Sequence, residues 1–127
     1  MEAIAEKWKI EAVLALVRAT RLERFFVLGS ERVESKTHRF MRQVGYDRPS
    51  VFREVRSLRV GNYSQGPLPD GKGRPHDVWV FGKYIARYQV YIKLVAFVEG
   101  GEVRCLCVSF HEAERPLAFP YGLEGDA

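Results

Sequence analysis

The chain has 127 residues, the size of one domain with one core, and 46% of them are hydrophobic, too many for a disordered chain. No apolar run approaches the roughly 20 residues of a membrane-spanning helix. The net charge of +4 hides an asymmetry: residues 1–98 hold 18 Lys/Arg against 10 Asp/Glu, whereas residues 99–127 hold 2 against 6. A basic body of this kind suits an anionic partner such as nucleic acid or an acidic protein.

The opening stretch MEAIAEKWKIEAV is amphipathic and carries acids early, unlike a signal peptide, so a soluble cytoplasmic protein without a membrane partner is expected. Residues 3–18 predict a helix whose apolar stripe holds Ile4, Trp8, Ala12 and Leu16, widened by Val13 and Val17. Phe25, Phe26, Val27 and Leu28 fit either a short strand or a buried helical turn. A second helix is predicted from Ser30 or Glu31 to Val44, closed by Gly45. A third follows Asp47 with Pro49 at its first turn; Val51, Phe52, Val55 and Leu58 point inward and Arg53 and Arg56 outward.

GNYSQGPLPDGKGRP packs four glycines and three prolines into fifteen residues and reads as a loop, a cover for the sheet, with Lys72, Arg74 and His76 at its end. From residue 77 the pattern turns to β, with strands over 78–84, 89–98 and 103–110 joined by IARY and EGGE hairpins. The predicted architecture is α+β: helices over about 1–60, a loop over 61–76, an antiparallel sheet over about 77–111 and a tail over 112–127. Pro116 and Pro120 argue against a long final helix, and Phe119 and Tyr121 are suited to docking the tail.

Alternation assigns the faces. Val90, Ile92 and Leu94 share one, as do Leu106, Val108 and Phe110. That leaves Tyr91 and Lys93 with Cys107, Ser109 and His111 on the opposite side. Trp79, Phe81 and Lys83 form one set of the first strand, Val78 and Val80 the other. Tyr, Lys and His on an open sheet face are ordinarily only surface. They are also groups with which RNA can be cleaved: an imidazole moves protons near neutral pH, a tyrosine bonds or stacks, and a lysine neutralises phosphate. Cys105 and Cys107 read as small apolar residues in a reducing compartment. No GxGxxG or P-loop motif occurs, and His38, His76 and His111 lack metal-ligand spacing, so neither cofactor nor metal is expected.

The segments GNYSQGP, DVWVFGK, VYIKL and CVSFHEAERPLAFPY, with THRFMRQVGYDRPSVFREVRSL before them, resemble the motility quorum-sensing regulator (MqsR) branch of the RelE/ParE-like bacterial toxins over about residues 31–121. The resemblance implies helices packed on one face of a small antiparallel sheet, RNA cleavage on the open face, and a cognate antitoxin encoded nearby. The functional tyrosine of that family falls on Tyr91 and a lysine on His111; another lysine falls near Ser64 and a glutamine on Val80, so two of four matched positions lose their polar group. Residues and resemblance together predict a metal-independent endoribonuclease. Its catalytic groups are Tyr91, His111, Lys93 and Lys83, and its RNA-binding groups Arg53, Arg56, Lys72, Arg74 and His76. A non-catalytic binding module of the same fold, or a gyrase-targeting toxin, are the alternatives.

Overall fold

A computed structural model of the chain describes residues 3–122. The first helix, α1, spans Lys7–Ala19 and buries Ile10, Val13, Leu14 and Val17. The predicted stripe is displaced: Ile4 and Trp8 are 59% and 62% exposed. Ile4 precedes the helix and Ala12 offers little area, whereas the stripe from Ile10 presents four branched side chains to the sheet.

Phe25–Val27 is a strand, β1, which settles the ambiguity of that segment. Helix α2 covers only Lys36–Val44, later than expected, because Ser35 caps it by accepting the His38 amide at 3.0 Å. It ends at Gly45, whose φ of 72° is the left-handed closure the sequence suggested. Helix α3, Arg48–Arg56, starts from Asp47, whose carboxylate accepts the Ser50 amide at 3.0 Å. Its inward residues Val51, Phe52 and Val55, and Leu58 beyond it, are buried as expected.

The glycine- and proline-rich stretch is not all loop. Tyr63–Leu68 enters the sheet as β2, followed by β3 (Val78–Ile85), β4 (Tyr88–Glu99) and β5 (Glu102–Glu112). The order is β1-β5-β4-β3-β2, antiparallel except for the parallel β1–β5 pair, so the sheet is mixed where an antiparallel one was expected. β2 is tolerated because it is an edge: Pro67 has no N–H to offer a further strand. Gly66, at φ 125°, has a backbone that strains any other residue, and a Cβ there would stand 3.1 Å from the backbone of Val78 and Trp79. Gly100 and Gly101, at φ 63° and 81°, make the tight β4–β5 turn that EGGE announces.

The helices pack on one face of this sheet and enclose the core. Phe25 meets Phe52 at 4.9 Å, and Phe110 packs against Phe40 and Tyr46. Tyr63 is fully buried; its hydroxyl accepts from the Ala5 amide and donates to the Gly66 carbonyl, tying the α1 end to the sheet edge. One expectation about β5 fails at a bulge. Lys93 pairs with Ser109 but Leu94 with Cys107, so Val108 is an extra residue in β5. Cys105 and Cys107 therefore face the core with Phe110, where Leu106 and Val108 were expected, and Cys107 does not join Ser109 and His111. Burial pushes the Cys105 thiol up to about 12 and, with Cys105 adding to the effect, pushes Cys107 well above the ordinary value; both are free. These thiols stay protonated and unreactive at neutral pH.

Lys83 also faces the helices, paired with core Val90 across β3–β4. Its ammonium meets Glu54 at 2.7 Å and donates to Ser57 Oγ, while Tyr46 donates to the other Glu54 oxygen. Burial opposes the charged form of Glu54, but bonds from Lys83 and Tyr46 outweigh it and hold the carboxyl below its ordinary value. The bond to Glu54 and burial push Tyr46 up to about 12. The signs give a stability profile. The Glu54 contribution is complete above the unfolded carboxyl value of about 4.3 and is lost as pH falls through the lower folded value. The Tyr46 contribution is complete below about 10 and is lost as pH rises toward 12. Urea unfolding from pH 6 to pH 3 should therefore show a loss that Glu54→Gln reduces, and phenolate absorbance should show one late-titrating tyrosine absent from Tyr46→Phe.

The tail behaves as the prolines suggest. Among the described residues it forms no helix after β5; residues 123–127 of the expected 112–127 tail lie outside the described residues. The Leu117 amide donates to Gln89 Oε1 at 2.9 Å, and Leu117 and Phe119 lie where a side chain on Gly82 would stand. Tyr121 then donates to the Ala5 carbonyl at 2.7 Å. Among the described residues no helix is long and apolar enough to cross a membrane.

Candidate functional site

The sheet face turned away from the helices carries Tyr91 and Lys93 on β4 and Ser109 and His111 on β5. Tyr91 pairs directly with His111, and Lys93 with Ser109, so the four form two adjacent rungs. The Tyr91 and His111 rings stack at 5.4 Å between centroids and 18° between planes. All four side chains are half-buried, accessible at the surface yet held by their neighbours.

His111 Nδ1 lies 3.0 Å from the Glu112 carbonyl oxygen. A carbonyl can only accept, so Nδ1 carries a proton. In a neutral imidazole Nε2 is then the basic nitrogen, the arrangement a general base needs.

Two segments flank these rungs. On the β3 side Gly82 pairs with Tyr91, and the tail crosses Gly82 through Leu117 and Phe119. At the other end the loop over 69–77 folds back onto the sheet, its His76 stacked on Phe97 of β4 at 4.2 Å and 10°. Within this loop Arg74 Nε bonds Asp70 at 2.5 Å, and the Lys72 amide donates to the same carboxylate at 2.8 Å. The Asp70 side chain is only 4% exposed. The Lys72 amide and the Arg74 guanidinium hold its carboxyl below the ordinary value, with a smaller contribution from Lys93.

The predicted residues thus divide. Tyr91, Lys93 and His111 come together, and Lys72, Arg74 and His76 belong to the loop above the same face. Lys83 does not: it lies on the opposite face, committed to Glu54, and is withdrawn from the site. Arg53 and Arg56 also lie in the helical layer; Arg53 donates to Ser50 Oγ, and Arg56 donates to the Arg18 carbonyl while covering Phe52. Other residues were missed. Asp70 follows only from the turn-forming PDG that positions it. Lys36 and Arg39 of α2 border a cavity of about 280 Å³ with His111 and Glu112, and the basic run of KTHR is their signal. Lys36 pairs with Glu114. Among the described residues no three His, Cys, Asp or Glu side chains gather as a metal site.

No protein-family model, curated protein or solved structure matches the chain.

Proposed function

We propose that the chain is a metal-independent endoribonuclease for single-stranded RNA, a toxin-like protein of the cytoplasm silenced by a cognate antitoxin. One observation carries the reading: Tyr91 and His111 stack across β4 and β5, with Lys93 on the next rung of the same face. In this reading His111 Nε2 takes the proton of a ribose 2′-hydroxyl, whose oxygen attacks the adjacent phosphorus. The bond to the 5′-oxygen breaks and that oxygen takes a proton from the Tyr91 hydroxyl, leaving a 2′,3′-cyclic phosphate and a 5′-hydroxyl. Lys93, with Arg39 at the neighbouring cavity, offsets the charge that grows on the phosphoryl oxygens. Exchange with water then removes the extra proton from His111 and returns one to the Tyr91 phenolate, which restores both groups.

The loop over 69–77, with its Arg74–Asp70 ion pair and its His76 stacked on Phe97, favours a second reading, a module of the same fold that binds RNA without cutting it. Incubation of EDTA-treated protein with end-labelled single-stranded RNA separates the two. Fragments ending in 2′,3′-cyclic phosphate support the nuclease. Intact RNA held with steeply salt-dependent affinity supports the module and rejects the nuclease.

A further inference from the structure

The helical side of the molecule holds a cavity of about 440 Å³, within the range of small-molecule sites, between α1, the turn at Val60–Asn62 and the tail. Lys7, Glu11 and Arg18 project from α1, Arg59 from the turn, Leu14 lies among the lining residues, and Tyr121 of the tail completes it. These cations are not consumed locally. Arg18 spends one N–H on the Leu58 carbonyl at 2.7 Å, and the Lys7 ammonium lies 5.3 Å from the Tyr121 ring centre. Among the described residues none of the three is ion-paired. Among the described lining residues, three cations against the single Glu11 carboxylate leave a charge of +2. A phosphate monoester carries about −1.5 to −2 at pH 7 and offers oxygens that match an arginine fork.

We propose that this cavity binds a small phosphate monoester, its phosphate held by Arg59 and Arg18, which stand together beside Leu58, and hydroxyls of its body by Lys7 and Glu11 further along α1. The ligand would touch α1, the turn and the tail at once. The tail backs onto the turn, with Gly122 against the Gly61 carbonyl. The site is independent of the nuclease reading and stands or falls without it.

The test is an amide-resolved NMR titration with ribose 5-phosphate, ribose and inorganic phosphate. Ribose 5-phosphate should shift the Leu14, Val60, Gly61 and Tyr121 amides in saturable fashion. Phosphate should do so more weakly, and ribose not at all. Arg59→Glu and Lys7→Glu, on separate walls, should each weaken ribose 5-phosphate binding by about tenfold or more while the remaining spectrum keeps its dispersion. No saturable shift in the millimolar range, equal shifts with ribose, or binding unchanged in a folded variant would overturn the proposal.

Discussion

If the proposed nuclease reading holds, replacing His111 by Ala is expected to slow RNA cleavage by about 10²–10⁴-fold, the usual contribution of one positioned general base. The imidazole is half-buried, stacked on Tyr91 and held by one bond to a backbone carbonyl, so its removal leaves the core untouched. A urea midpoint close to wild type should accompany the loss. The pH–rate profile separates catalysis from support: removing a base abolishes one limb, whereas loosening Tyr91 lowers the whole curve without changing its shape. Lys93→Ala should lower the rate at every pH, because in the proposed reaction its charge offsets that of the phosphoryl oxygens and moves no proton.

Phe110→Ala, one residue away in sequence, should have the opposite character. Phe110 is fully buried, contacts the rings of Phe40 and Tyr46, and has its amide bonded to Thr37 Oγ1 at 3.1 Å. Truncation leaves a cavity where α2 meets β5 and should cost about 3–5 kcal/mol. Against a total of about 5–15 kcal/mol for a domain of this kind, that is a large share. With a urea slope of about 1–3 kcal/mol/M, the midpoint should fall by more than about 1 M. Val98→Ala is the control: Val98 is 62% exposed, and the change should stay within about 0.5 kcal/mol. A Phe110→Ala midpoint equal to that of the control would contradict the assignment of Phe110 to the core.

The contrast between these neighbours shows what was legible in the sequence. Strict alternation put Phe110 inside and His111 outside, and both assignments agree with the observed burial. The same alternation misplaced Cys107, because the extra residue at Val108 shifts the period and alternation carries no sign of a bulge. Gly45, Asp47 and the Gly100–Gly101 turn were readable because each demands a special backbone or cap. β2 was hidden for the converse reason: glycine and proline signal turns, and only the edge position makes them compatible with a strand. Two overlapping stripes on α1 left its orientation to burial within the assembled core. Of the site, Tyr91 and Lys93 followed from period two on a regular strand. Asp70 and Arg39 did not, since what brings them to the site is the fold of a loop and the docking of a helix.

The place where RNA binds can be located with a substrate that cannot react. A short single-stranded oligonucleotide carrying 2′-deoxyribose at every position lacks the attacking hydroxyl and can be titrated against labelled protein. The proposed site predicts amide shifts concentrated at Tyr91, Lys93, Ser109 and His111 and in the 69–77 loop. Shifts confined to the helical layer around Arg53 and Arg56, with the Tyr91–His111 rungs unmoved, would contradict it.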